Sequence, residues 1–83
     1  MPESVTFVFT GRLVPPSFAD FASHRAERLA LDHGLGPVGA DRAEVTVRGD
    51  PDLVDAFEMA CSLGPIDCVV LDCTRAPAGG AAR

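Results

Sequence analysis

The sequence predicts an α+β fold in which two helices pack on one face of an antiparallel sheet. Two segments alternate apolar and polar residues as half-buried strands do, from about Ser4 to Val14 and from about Arg42 to Arg48. Two further segments repeat apolar residues at helical spacing, and each begins beside a proline. The chain has 83 residues, enough for one small domain with a modest core.

The first strand passes into the first helix through two adjacent prolines. Because a serine side chain can accept a hydrogen bond from a free N–H of the first helical turn, we expect Ser17 to be the N-cap. Asp20, three residues later, completes a near capping box and adds a negative charge to the first turn. We expect the helix to end near His33, with Gly34 as a left-handed C-cap. Its apolar stripe consists of Phe18, Phe21, Ala22, Ala26 and Leu29.

Glycine and proline interrupt the next segment, from Leu35 to Asp41, so a strand there should be short and marginal. The strand from Arg42 to Arg48 places charged residues on its solvent face. Asp50 is the expected N-cap of the second helix, and Pro51 its first residue. Gly64 and the proline after it should end that helix.

The last predicted strand runs from Ile66 to Thr74 and is almost continuously apolar between Cys68 and Leu71. From Arg75 onward the chain has nothing to bury, which is typical of disorder. The sequence therefore predicts a domain over residues 1–75 and a disordered tail over residues 76–83. Two strand–helix–strand units in this order predict the ferredoxin-like βαββαβ sandwich.

Composition disfavours several classes of function. The formal charge is −5 and the chain has no lysine, tryptophan or tyrosine, so it lacks both a basic patch and the stacking residues of most RNA-binding domains. No apolar run approaches the roughly 20 residues of a membrane span. The N-terminal residues show no secretory signal pattern. We therefore expect a cytoplasmic protein that binds neither nucleic acid nor membranes.

The cysteines and the carboxylates of the second helix do not form a metal motif. The three cysteines have no Cys-x-x-Cys spacing and no histidine at zinc-ligand distance, so buried or half-buried free thiols are expected at Cys61, Cys68 and Cys73. Helix capping and dipole compensation account for the acidic group Asp50, Asp52, Asp55 and Glu58. We expect no metal and no cofactor.

The order of elements and several motifs together resemble the acylphosphatase family. Residues Gly11–Phe21 are similar to the family's opening loop, Gly-Arg-Val-Gln-Gly-Val-Gly-Phe-Arg-x-Phe. Residues Gly36–Val38 resemble its Gly-Trp-Val segment, and Val45–Gly49 its Val-Glu-Val-x-x-x-Gly strand. The pair Gly64-Pro65 resembles the Gly-Pro that follows the family's second helix. The resemblance implies a ferredoxin-like fold and hydrolysis of acyl phosphates.

The same resemblance implies that both catalytic positions have been replaced. The family's phosphate-binding arginine corresponds to Ala19, and its water-orienting asparagine corresponds to Ala40. Neither alanine can donate a charge-assisted hydrogen bond or orient a water molecule. The chain contains no asparagine and no glutamine, so another alignment cannot restore that role.

The loop itself is also altered. Pro15 and Pro16 have no backbone N–H, which removes up to two donors from a phosphate cradle. Asp20 should repel an anion there. Arg12, which precedes the cradle, and Arg42, which follows Ala40, are the two arginines that could take the place of the missing one. The residues predicted to form an anion-binding or partner-binding loop are Arg12, Pro15, Pro16, Ser17, Phe18 and Arg42.

These observations favour a small non-catalytic domain that acts as a binding or protein-interaction module. Its partner would use the remodelled loop or a sheet edge, and self-association through an edge is the simplest version. One alternative is an acylphosphatase with a displaced phosphate-binding arginine. Another is a small-ligand sensor domain.

Overall fold

Four strands and two helices make up residues 3–77, the part of the chain that the computed structural model describes. They are β1 (Glu3–Arg12), α1 (Pro15–Arg28), β2 (Asp32–Val38), β3 (Arg42–Gly49), α2 (Pro51–Leu63) and β4 (Val69–Pro77). The sheet order is β2-β3-β1-β4, and every neighbouring pair is antiparallel. This topology confirms the predicted ferredoxin-like α+β fold.

The core lies between the sheet and the two helices, as the alternation in β1 and β3 predicted. Phe7 and Phe9 of β1 are fully buried, and in the sheet they lie opposite Val45 and Ala43 of β3. The ring centroids of Phe9 and Phe18 are 5.3 Å apart. Burial of each of these aromatic side chains contributes about 2 to 3 kcal/mol. The helices supply the other half of the core with Phe18, Ala22, Ala26, Val54, Phe57 and Cys61.

Helix α1 begins earlier and ends earlier than the sequence predicted. It starts at Pro15 and ends at Arg28, so Ser17 is not the N-cap and Gly34 is not the C-cap. Ala30 adopts the left-handed conformation instead, with a φ of 57°. Two hydrogen bonds of a Schellman motif close the helix: Ala30 N–H donates to the Glu27 carbonyl and Leu31 N–H to the Ala26 carbonyl, at 3.1 and 2.9 Å. Burial of Leu31 stabilises this turn.

Strand β2 is longer than the marginal strand that the sequence predicted. It pairs with β3 from Asp32 to Val38, with an irregularity between Leu35 and Val38. Pro37 lies within that irregularity and cannot donate to a neighbouring strand. Because β2 is at the edge of the sheet, a missing donor on this strand is tolerated.

The second half of the chain follows its prediction more closely. Asp50 is the N-cap of α2, where its side chain accepts a hydrogen bond of 2.9 Å from the Asp52 N–H. Strand β4, however, is shifted toward the C-terminus and includes Arg75, Ala76 and Pro77, which pair with Phe7, Thr6 and Val5 of β1. Ala76 and Pro77, which the sequence assigned to the disordered tail, are therefore part of a strand, because they pair with β1. The rest of the predicted tail, residues 78–83, lies outside the described residues. Among residues 3–77, no helix is long and apolar enough to cross a membrane.

Candidate functional site

The β1–α1 junction lies against the turn between β2 and β3. The Leu13 N–H donates a 2.7 Å hydrogen bond to the Ala40 carbonyl, and the Gly11 N–H donates a 3.1 Å bond to the Asp41 carbonyl. The backbone of Ala40 is therefore beside the junction that leads to Ala19. This arrangement brings together the two segments that carry Ala19 and Ala40, neither of which has a polar side chain.

The start of α1 offers few donors to an anion. Pro15 and Pro16 are the first two helical residues, so two of the N–H groups that normally point out of a helix end are missing. The N–H of the N-cap residue Val14 donates to Cys68 Sγ at 3.3 Å. The Phe18 N–H donates to the Val14 carbonyl at 2.9 Å. Ser17 is thus the only residue of the first turn with an N–H left for a ligand.

A carboxylate from a distant part of the chain lies beside this helix end. Ser17 Oγ donates a 2.9 Å hydrogen bond to Asp67 Oδ1, from the loop between α2 and β4. Cys68 Sγ is 3.7 Å from the same oxygen. A negative charge at a helix N-terminus is favourable because it compensates the helix dipole. The place where a phosphate would bind is therefore beside the protein's own anion.

Asp20 does not have the position that the sequence predicted for it. The first turn of α1 contains no acidic residue, because the helix begins two residues before Ser17. Asp20 is one turn further along, where its Oδ2 is 3.7 Å from His24 Nδ1. The anion closest to the helix start is instead Asp67, which sequence reasoning missed. Asp67 belongs to no recognisable motif, and the nearest feature that the sequence analysis identified is the helix-ending pair Gly64-Pro65.

The two arginines proposed as substitutes are not held toward the cradle. Arg42 Nη1 contacts Glu44 Oε2 of its own strand at 2.7 Å. Arg12 is exposed at the end of β1, and no salt bridge among the described residues holds its side chain. Ala19 is half-buried on α1 and brings no charge. Among residues 3–77, no ion pair therefore fixes either arginine at the start of α1.

A groove of about 290 Å³ runs along α1 from the same end. Arg25 covers the ring of Phe21 in it, with the guanidinium carbon 5.5 Å from the ring centroid. Such a contact stabilises an exposed arginine by about 0.5 to 1 kcal/mol. The groove mixes both signs of charge and is lined by Ser17, Asp20, Phe21, His24, Arg25, Arg28 and Pro65.

The cysteines are free thiols, as expected. Burial raises the pKa of Cys61 to about 12. Burial, with the nearby carboxylate of Glu58, raises the pKa of Cys73 to about 11. Both thiols are therefore protonated at neutral pH and are poor nucleophiles. Residues 3–77 contain no group of three or more metal-ligating side chains.

Solved structures of low sequence identity have the same fold. An acylphosphatase from Coxiella burnetii matches with a TM-score of 0.83 at 16% identity, over 92% of this chain and 80% of that protein. An acylphosphatase from Bacillus subtilis matches with a TM-score of 0.81 at 20% identity, over 92% and 83% of the two chains. Full-length HypF in its phosphate- and nucleotide-bound form gives 0.80 at 15% identity, over 93% of this chain and 10% of HypF.

No protein-family profile matches the sequence, and no curated protein sequence matches it. The similarity therefore lies in the arrangement of strands and helices, which persists at identities of 15 to 20%. At such identities a shared fold does not carry a shared activity with it. The chain has the fold of the acylphosphatases, with its own set of side chains at the β1–α1 junction.

Proposed function

We propose that this chain is a non-catalytic acylphosphatase-like domain that acts as a binding or protein-interaction module. The observation that carries the proposal is the bond between Ser17 Oγ and Asp67 Oδ1 at the start of α1. An acyl phosphate would have to bind beside this carboxylate, at a helix end whose first two residues are prolines. Repulsion between the two anions opposes binding.

The absence of the family's arginine and asparagine side chains should also lower the rate of hydrolysis. Removal of one preorganised donor from an active site typically lowers the rate by about 10²- to 10³-fold. Here the arginine and asparagine positions are both alanine, and two backbone donors are absent. The separate effects need not add, but each of them lowers transition-state stabilisation.

A hydrolysis assay with an acyl phosphate tests the proposal directly. We expect the rate with protein to equal the rate in buffer. Turnover well above buffer that is lost in Arg12→Ala or Arg42→Ala would contradict the proposal and support an acylphosphatase with a displaced arginine. A saturable change in the Ser17 amide chemical shift on addition of phosphate would support the same alternative.

Variants that restore the family's residues distinguish two reasons for weak phosphate binding. One is the absence of the arginine and asparagine side chains, and the other is the presence of the prolines and Asp67. The variant Ala19→Arg/Ala40→Asn should not bind phosphate, because the prolines and Asp67 remain. Adding Pro15→Gly, Pro16→Val and Asp67→Asn to it should produce saturable phosphate-dependent shifts of the amides around Ser17. Asp32→Asn in place of Asp67→Asn is the matched control for the change of charge. Phosphate binding by the first variant alone would mean that the missing side chains were the only obstacle.

A further inference from the structure

The outer side of β4 is the more suitable of the two sheet edges for strand addition. β4 pairs with β1 on one side, and within residues 3–77 no strand pairs with its other side. The opposite edge strand, β2, contains Gly34, Gly36 and Pro37 and is irregular. β4 has an irregularity as well, at Leu71, but from Asp72 to Ala76 it pairs regularly and contains no proline. An added strand needs a regular row of backbone donors and acceptors, which this part of β4 offers and Pro37 interrupts in β2.

Of the eight large apolar residues exposed within residues 3–77, five lie in the C-terminal half of α2, the loop after it and β4. Leu71 is 75% exposed and Leu63 is 80% exposed. Between the last turn of α2 and β4 there is a shallow groove of about 200 Å³, lined by Ser62 and residues Val70–Cys73. The exposed apolar residues of this region are Met59, Leu63, Ile66, Val69 and Leu71. Clustered exposure of this kind marks an interaction surface.

The part of the chain that forms α2, β4 and the loop between them carries almost all of the net negative charge of residues 3–77. Residues 50–77 contain six carboxylates and one arginine, a formal charge of −5, whereas residues 3–49 contain six carboxylates and five arginines. That arginine, Arg75, is already paired with Asp55 and Glu58 of α2. Asp67 and Asp72 therefore remain as acidic groups next to β4.

Asp72 is exposed within β4, and its Oδ1 accepts a 2.9 Å hydrogen bond from the Cys73 N–H. This carboxylate covers a backbone donor of the edge strand. A second copy of the chain that approached edge to edge would bring its own Asp67 and Asp72 toward these carboxylates. Like charges across a sheet pair are destabilising, so self-pairing is opposed. A cationic side chain would attract the carboxylate instead and leave the Cys73 N–H free.

We propose that β4 and the groove beside it bind an extended segment of another protein that alternates apolar residues with arginine or lysine and adds to the sheet as a fifth strand. The inference rests on the proposed binding role and specifies the chemistry of its partner. Backbone hydrogen bonds to β4 hold the segment, and its apolar side chains cover Leu63 and Leu71. Its cationic side chains lie near Asp67 and Asp72.

The test uses a ten-residue synthetic peptide that alternates valine with lysine, titrated into the isotopically labelled full chain and followed by amide NMR. We expect saturable shifts of the amides of residues 69–75, with an affinity that falls as salt is raised. A matched peptide with glutamate in place of lysine should not bind. Shifts confined to β2, equal binding of both peptides, or no binding by the lysine peptide would overturn the proposal, as would dimerisation of the unmodified chain.

Two variants locate the site. Asp72→Ala should weaken lysine-peptide binding about fivefold, the scale of one exposed ion pair, whereas Asp32→Ala on the opposite edge should leave it unchanged. Leu71→Lys should abolish binding, and its amide spectrum reports whether the fold is retained. Unchanged binding by both Asp72→Ala and Leu71→Lys would overturn the proposal. Failure here leaves the non-catalytic role intact, because that role is tested by the hydrolysis assay.

Discussion

Gly11 is the residue that allows the backbones of β1 and β4 to approach closely. It follows the register shift in the β1–β4 pair, and its φ of 154° is one that other residues rarely adopt. A Cβ atom at this position would collide with the Val69 carbonyl oxygen and lie 2.8 Å from the Leu71 amide nitrogen. Backbone atoms of a paired strand cannot move aside without loss of the pairing.

We therefore expect Gly11→Ala to lower the free energy of unfolding by about 3 kcal/mol, since it combines a strained conformation with a backbone clash. Gly34→Ala is the control, because a Cβ there would meet no atom within 4 Å. Its effect should stay within about 0.5 kcal/mol. Urea unfolding of both variants measures the difference, and equal effects would show that the clash is relieved by movement of β4.

Because the Cys61 thiol is buried, we expect the free energy of unfolding to fall at alkaline pH. Its pKa in the folded state is raised to about 12 from the ordinary 9.0, because burial disfavours the thiolate. The stabilisation is thus complete below pH 9 and is lost as pH rises from 9 toward 12. Over that interval each pH unit should lower the free energy of unfolding by about 1.4 kcal/mol for this group.

Denaturant unfolding at a series of pH values between 8 and 11 measures this slope. Cys61→Ala should unfold more easily at pH 8, because it leaves a cavity, but should lose less stability per pH unit above 9. Parallel pH profiles for the two proteins would contradict the assignment of the slope to Cys61.

At the scale of an element, the C-terminal end of α1 is strained because an alanine occupies its left-handed position. Ala30 has the left-handed conformation that glycine adopts without cost, whereas other L-residues pay roughly 1 to 2 kcal/mol for it. Ala30→Gly should therefore raise the free energy of unfolding by about 1 kcal/mol. Ala56→Gly, on the exposed side of α2, should lower it by about the same amount. Thermal or urea unfolding of both variants provides the check, and destabilisation by Ala30→Gly would mean that the turn is not strained.

At the scale of the whole molecule, the elements that sequence reasoning predicted well are those whose determinants are local. Alternation fixed the buried faces of β1 and β3, and Asp50 followed by proline located the start of α2. The errors arose where the deciding feature has no sequence signal: a helix end closed by an alanine in place of glycine, and a strand formed through its pairing partner. Leu31 N–H bonding to the Ala26 carbonyl ends α1 early, and pairing with β3 makes a strand of a segment interrupted by Pro37.

The candidate site shows the same division. Given the resemblance to acylphosphatases, the order of residues predicts that Ala19 and Ala40 replace catalytic positions, which stays a prediction. The absence of two backbone donors at the start of α1 follows from the two prolines alone. Asp67 could not be predicted, because its partner Ser17 is 50 positions away in sequence. A carboxylate in an isolated loop has no pattern that distinguishes it from any other exposed acid.

The central position of β1 has a consequence for how the chain assembles during synthesis. β1 pairs with β3 on one side and with β4 on the other, where Val5 lies opposite Pro77. A ribosome releases β3 well before β4, so one edge of β1 stays uncovered while residues 51–77 are being made. β4 therefore emerges after the other three strands and completes the sheet, and contacts between such distant positions slow this step.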